Sequence, residues 1–349
     1  MKGGKSMINY DIKTKVAATQ FEPVWYNAHE TVTKMIKWIE EASHNGAKLI
    51  GFAECAIPGY AFEIWGKSPM EVHMKDVLLS QNSLEIDGPE MKRLMIACRE
   101  NSIYLVTGFV ERDGGSRYIA QVIINDEGKI ILTRRKLKPT DCERYVYGDG
   151  SGADIKVVET PLGIIGACNC FEHIQPLITY AMASMHEQIH VASWPGVEGD
   201  NYYLYSTYGP AKDLSRVYAM QTQAYTLTCS AVYGQNARDF FYDGSENDMF
   251  KIGGGLAQVI SPMGDYLCDP LPSNQEGIVY ADIDLNLILA AKAFVDPVGQ
   301  YSRPDILCLN INKSSLPKTR VANEDDVDHS LIEKIEKANN ILDEGTDNS

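Results

Sequence analysis

Cys170 follows the apolar run Ile164-Ile165-Gly166-Ala167-Cys168-Asn169 and precedes a polar turn, Phe171-Glu172-His173, with a helix expected from Pro176. A side chain at the end of a buried strand is held by the sheet yet faces the open rim, where the N–H groups of the following turn are still unpaired. Such donors suit a developing negative charge. Cysteine is already partly thiolate near neutrality, and a neighbouring base or cation raises that fraction. A nucleophile at this place therefore needs a base and a cation from elsewhere in the chain.

Three other loop-edge segments offer them. Phe52-Ala53-Glu54-Cys55-Ala56-Ile57-Pro58-Gly59-Tyr60 ends an apolar strand with a carboxylate, which read alone is a surface turn residue. Thr133-Arg134-Arg135-Lys136-Leu137-Lys138-Pro139-Thr140 closes another strand with a basic cluster, ordinarily a solvated face. Alternation puts Arg134, Lys136 and Lys138 on one side, so it does not choose among them. Asp141 to Gly152 is a glycine-bearing loop with Glu143 near its start, and it lacks a phosphate-loop pattern. Cys168-x-Cys170-x2-His173 is half of a metal site without a second half at zinc-like spacing, so no metal and no cofactor are expected.

The elements that must position these residues alternate along the chain. Lys15 to Phe21 reads as a strand, Ala28 to Ser43 as an amphipathic helix, and Ala47 to Ala53 as a strand, a β-α-β opening. A helix over 89–101 leads into strands at 103–111, 118–125 and 129–136, separated by Asp113-Gly114-Gly115 and Asp126-Glu127-Gly128, turns that imply an antiparallel meander. After Cys170 come a helix, a strand at 189–193, a helix at 211–223, and strands at 225–232, 256–261 and 277–283. The class is α/β with mixed sheets.

No linker interrupts this alternation, so residues 9–312 are expected to form one domain. Residues 313–349 form a polar tail in which Ser330-Leu331-Ile332-Glu333 opens a short helix over 331–342, with Leu331, Ile335, Ala338 and Leu342 at helical spacing. Such a tail is either frayed and solvated or docked on a neighbouring subunit. Hydrophobic residues make up 44% of the 349, ordinary for a folded chain. A net charge of -15 argues against nucleic acid and anionic membrane surfaces as partners. No stretch reaches the length of a membrane span and residues 1–14 lack a signal peptide's apolar core, so a cytoplasmic location is expected. Eight scattered cysteines are expected as free thiols.

Taken together, Phe52-Ala53-Glu54 with Pro58-Gly59-Tyr60, Arg135 to Thr140 with Glu143-Arg144, and Cys170-Phe171-Glu172-His173 with Pro176-Leu177 resemble the three signature regions of the nitrilase superfamily of carbon-nitrogen hydrolases. His186 to Pro195 and Asp296 to Asp305 resemble its nitrilase branch, including aliphatic nitrilases and cyanide-degrading relatives. The resemblance runs from about Lys15 to Asn310. It implies a four-layer α-β-β-α sandwich, a catalytic set of Glu54, Lys136, Glu143 and Cys170, a nitrile substrate, and homodimers that associate further, as spirals in many members. Tyr60, Phe171 and Trp194 lie in motif loops and are candidates for lining the substrate pocket. Ala53, Phe171 and Gln300 stand where the family commonly has proline, tryptophan and histidine. Alternatives to a nitrilase are a cyanide hydratase or dihydratase, an amidase, or a silent scaffold subunit.

Overall fold

The computed structural model describes residues 8–65, 67–198, 208–242, 244, 250–315 and 329–344. β1 (Lys13–Phe21) leads into α1 (Ala28–His44), whose first turn is capped by Asn27, its side chain accepting from Glu30 N–H at 3.1 Å. α1 buries Val32, Met35, Ile39 and Ala42, one face of a 3.6-residue period. β2 (Leu49–Gly51) returns parallel to β1. α2 (Pro69–Asn82) and α3 (Pro89–Asn101) precede the meander of β3 (Tyr104–Asp113), β4 (Ser116–Ile124) and β5 (Ile130–Arg135), in which both pairings are antiparallel.

The second half repeats the plan. β6 (Val158–Thr160) and β7 (Gly163–Asn169) form a hairpin, and α4 (Pro176–Ser184), β8 (Ile189–Trp194), α5 (Tyr208–Thr222) and β9 (Tyr225–Ala231) follow with parallel strand pairs. α6 (Gln235–Phe241), β10 (Gln258–Ile260), β11 (Gly277–Asp284), α7 (Asn286–Phe294) and α8 (His329–Glu344) complete the order.

The strands run β5-β4-β3-β2-β1-β9-β8-β7-β6, with β11 beside β1 and β10 beside β9. The sheet turns at β1: residues 16–18 pair with β2, whereas Gln20 and Phe21 pair with β9. Two leaves result. Leu49, Val106 and Ile123 of one share a buried cluster with Ile165, Val191 and Leu227 of the other. α1 and α3 cover the outer face of the first leaf, while Met182 of α4 and Tyr218 of α5 pack over Cys168 on the second. This is the four-layer helix-sheet-sheet-helix arrangement. At Gly51 the leaves come so close that a Cβ would lie 2.7 Å from Cys229 Sγ, a contact only glycine permits.

Three helices escape the sequence reading. α2 exposes Met70, Met74, Val77 and Leu78 and buries only Val72 and Leu79 of its described apolar side chains, an inward face too sparse to read. α6 and α7 are short. α8 departs from the frayed alternative offered for the tail, because it docks on its own chain. Ala338 is buried against the cluster of α1 and α3, Asn339 Oδ1 accepts Ile130 N–H at 3.0 Å, and Lys334 and Lys337 reach Asp113 and Asp87 at 2.9 and 3.1 Å. No helix among the described residues is long and apolar enough to cross a membrane.

Candidate active site

The chain reversals after β2, β5 and β7 meet at one rim. Beyond β2 the backbone stays tied to β3, with Phe52 N–H donating to Val106 O at 2.9 Å and Gly108 N–H to Ala53 O at 3.1 Å. A Cβ on Gly108 would sit 2.3 Å from Ala53 O and 2.8 Å from Glu54 Cα, so the bare backbone of β3 is what lets Glu54 occupy its place. Lys136, the first residue after β5, donates its N–H to Ile119 O at 2.7 Å. Cys170, the first residue after β7, opens a short 3-10 turn over 170–174 with φ 48°. Cys55 and Asp141, beside the other two reversals, also adopt left-handed backbone, with φ 49° and 44°. For residues with a Cβ this costs of order 1 kcal/mol each and persists only where the surroundings impose it.

Glu172 supplies much of that imposition. Arg134 grips it in a fork, with Nη1 and Nη2 at 2.7 and 2.6 Å from its two oxygens. Its Oε1 also accepts Leu137 N–H at 2.9 Å, and its Oε2 accepts Asn169 N–H at 2.8 Å. One buried carboxylate thus ties the segment carrying Lys136 to the segment carrying Cys170. Burial alone would raise the Glu172 pKa, but Arg134 and the two backbone donors hold it below the ordinary carboxylate range. Arg134 also donates to Gln121 Oε1 at 2.8 Å; Gln121 Nε2 in turn donates to Ser193 Oγ at 2.9 Å, and that hydroxyl donates to Phe52 O at 2.9 Å. The polar chain crosses from one leaf to the other and reaches all three reversals.

This pairing separates the three basic residues that alternation left equivalent. Arg134 is committed to Glu172, Lys138 is exposed and paired with Asp149 at 2.7 Å, and Lys136 is buried in the site. Lys136 Nζ donates to Glu54 Oε1 at 2.8 Å and to Glu143 Oε2 at 2.7 Å. Glu143 is held further by Thr140 N–H at 2.6 Å and by Tyr60 OH, which donates to its Oε1 at 2.8 Å. The charged neighbours that act on the Cys170 thiol are Glu54, Lys136 and Glu143, and the Phe171 N–H favours its thiolate. The structure therefore brings Glu54, Lys136, Glu143 and Cys170 into one buried group.

One cation between two carboxylates leaves an excess of negative charge in a desolvated place. Burial first, and then the Glu143 and Glu172 charges, push the Glu54 pKa up to about 8 against the pull of Lys136. Burial, followed by the Glu54 charge, likewise raises the Cys170 thiol well above its usual value, opposed by Lys136 and the Phe171 N–H. Burial works to lower Lys136, yet Glu143 and Glu54 together keep it an ammonium. The consequence is that Glu54 and the Cys170 thiol both hold their protons more tightly than they would in water, with Lys136 opposing both shifts.

Of the residues expected to line a pocket, Tyr60 is buried against Phe62 and receives Trp65 Nε1–H on its hydroxyl at 3.1 Å. Phe171 is half-buried and meets Trp194 edge to face at 6.1 Å. Trp194 is fully buried in the cluster that holds Cys170, and its indole N–H donates to Ser215 Oγ at 3.0 Å. Beneath the Cys170 turn lies a polar chain the sequence reading did not single out, running from Glu187 through His190 and His173 to Cys170 O. A signal was present in His186-Glu187-Gln188-Ile189-His190, ionisable residues set at the mouth of a strand that is otherwise apolar and flanked by core.

The model of the carbon-nitrogen hydrolase family matches residues 15–293, a span that contains all four side chains of the buried group. The chain belongs to the carbon-nitrogen hydrolase family. This carbon-nitrogen hydrolase is 46% identical over 315 residues to an aliphatic nitrilase of Rhodococcus rhodochrous, covering 88% of this chain and 85% of that protein. It is 42% identical over 304 residues to an arylacetonitrilase of Aspergillus niger, covering 86% and 92%. The fold is shared with a carbon-nitrogen hydrolase of Helicobacter pylori at a TM-score of 0.68 and 17% identity, over 85% of this chain and 97% of that one. The relatives place the chain in the nitrilase branch, as its motifs suggested.

Proposed function

We propose that this protein hydrolyses organic nitriles to the carboxylic acid and ammonia, with Cys170 as nucleophile, Glu54 as general base and acid, Lys136 as electrostatic stabiliser, and Glu143 as the group that holds Lys136. The observation carrying the assignment is the Glu54 carboxylate itself: Oε1 is engaged by Lys136, while Oε2 is buried and accepts no hydrogen bond from a described residue. A buried acceptor without a donor is costly, and a thiol or water proton relieves it.

Glu54 takes the Cys170 proton as sulfur attacks the nitrile carbon; a C–S bond forms, one C–N π bond breaks, and the proton passes to nitrogen, giving a thioimidate. Water adds to this carbon as Glu54 accepts its proton, forming a tetrahedral species. The Lys136 ammonium and the Phe171 N–H stabilise the charge on it. Glu54 returns that proton to nitrogen and then relays the proton of the added hydroxyl to it as well; the C–N bond breaks as the C=O forms, ammonia leaves, and a thioester remains. A second water, activated in the same way, releases the acid and restores the thiol. Collapse of the tetrahedral species with sulfur departing yields an amide, and the Lys136 contacts decide how often that happens.

Relatives named for aliphatic nitriles and for arylacetonitriles support a substrate whose cyano group sits on a saturated carbon. Tyr60, Phe171 and Trp194 are the side chains proposed to meet its organic part. The exposed Phe294 at the end of α7, with the exposed Tyr301, Ile306 and Leu307 that follow it in the chain, supports self-association into a homodimer and larger assemblies. The working location proposed is the cytoplasm, where eight free thiols remain reduced. Incubation with phenylacetonitrile, an aliphatic dinitrile, cyanide and the matching amides, with ammonia, acid and amide each measured, tests the assignment. Acid and ammonia from the first two are expected; ammonia from amides alone refutes it.

A further inference from the structure

Cys170 O accepts a hydrogen bond from His173 Nδ1 at 2.7 Å, His173 Nε2 lies 2.9 Å from His190 Nε2, and His190 Nδ1 lies 2.7 Å from Glu187 Oε1. Tyr218 OH closes the chain by donating to Glu187 Oε2 at 2.6 Å. A carbonyl only accepts, so His173 carries its hydrogen on Nδ1. His173 is neutral, since burial and then the charge of His190 hold its pKa at about 3. Its Nε2 must accept, and His190 Nε2 must donate. The two links nearest the peptide are then directed by one fixed end.

The rings are also braced. Trp194 stacks on His173 at 5.2 Å with planes 24° apart, and Tyr218 lies over His190 at 3.9 Å. Gly166 makes room for the far end: a Cβ there would stand 1.9 Å from Glu187 Oε1. A buried chain of this kind fixes its terminus more firmly than a single hydrogen bond does.

That terminus is the peptide unit that carries the Phe171 N–H. In a planar trans peptide the C=O and N–H point in opposite directions, so holding Cys170 O aims the Phe171 N–H. We infer that Glu187 and His190 act through His173 as a positioning unit, clamping the Cys170–Phe171 peptide so that its N–H faces the sulfur and the charge that develops beside it. The left-handed φ of 48° at Cys170, which a residue with a Cβ does not hold unaided, is what the clamp secures. This inference rests on Cys170 being the nucleophile.

Its test has two arms on the full chain. In uniformly 15N-histidine-labelled wild-type protein at pH 7.5, long-range 1H–15N correlations should show His173 as the neutral Nδ1–H tautomer; an Nε2–H tautomer overturns the inference without any variant. In the second arm, His190→Gln and Glu187→Gln are compared with wild type for melting temperature, kcat, KM and the rate of Cys170 alkylation by iodoacetamide. A misaimed donor predicts kcat lower by roughly 10- to 100-fold with KM within about twofold and slower alkylation. Wild-type kcat in a folded Glu187→Gln or His190→Gln protein overturns the clamp while leaving the nucleophile intact; a fully active Cys170→Ala protein overturns the nucleophile itself.

Discussion

Lys136 Nζ stands 2.8 Å from Glu54 Oε1, and the other oxygen of that carboxylate is buried without a donor among the described residues. The ammonium holds one edge of the carboxylate, and the other edge is open to the proton transfers proposed for Glu54. Because Glu143 shares the same ammonium at 2.7 Å, Lys136 cannot neutralise Glu54 fully. This half-compensated pair leaves burial free to raise the Glu54 pKa, as the proposed role of base requires.

The pH dependence follows from that pair. Glu54, raised to about 8, must be unprotonated to accept the thiol proton, so activity rises as pH climbs through that value and falls on the acid side. A profile of kcat/KM between pH 5.5 and 9.5 should show an ascending limb with an apparent pKa near 8, assigned to the coupled site. Glu54→Gln should lose about 10² to 10⁴ in kcat with the fold preserved. A plateau reaching down to pH 6 contradicts the assignment.

Tyr60 acts on the site at one remove, by donating to Glu143 Oε1 at 2.8 Å. A hydrogen bond to a charged group contributes about 1.5 to 3 kcal/mol, so Tyr60→Phe should lower kcat/KM by roughly 10- to 100-fold. Initial rates over a range of nitrile concentrations measure it, and an unchanged kcat/KM would show that Glu143 needs no such support.

Stability should depend on Glu172. Its ionised form is the favoured partner of Arg134, so the stability it adds is present above the unfolded carboxylate value of about 4.3 and is lost as pH falls through its lower folded value. Glu172→Gln leaves the Arg134 guanidinium buried beside a neutral amide, at a cost of about 3 to 5 kcal/mol. Urea unfolding at pH 7 should register the loss, and the gap between variant and parent should narrow below pH 4. Equal midpoints at pH 7 would contradict the coupling.

Much of this architecture was legible in the residue pattern because strands and core-facing helices carry period two and period 3.6. α3 falls where expected, at 89–101, and the meander needed only its two Asp-Gly-type turns. α2 was not legible, since beside its exposed methionines and leucine only Val72 and Leu79 are buried. Glu54, Glu143 and Cys170 were visible at loop edges, and the family resemblance singled out Lys136 from its basic neighbours. Alternation could not make that choice, because Arg134 and Lys138 are removed from contention by Glu172 and Asp149, partners brought in by the fold. The Glu187-His190-His173 chain depends on two adjacent strand ends and their register, which only the parallel pairing of β7 and β8 supplies.

The tail predicts a change of stability. α8 covers Ala338 and Ile335 against the first leaf's helices, so deleting residues after Lys313 should destabilise the protein by about 2 kcal/mol. Phe294→Asp with Leu307→Asp should instead reduce the assembly size in light scattering, since these side chains are 89% and 77% exposed. A native-sized assembly in that double variant contradicts the proposed interface.

The most direct test is mass spectrometry of the enzyme trapped by acid during turnover of a slow nitrile. A covalent acyl or imidate adduct should map to the peptide containing Cys170, and Cys170→Ala should carry no adduct and make no ammonia. Undiminished nitrile hydrolysis by that variant would contradict the account.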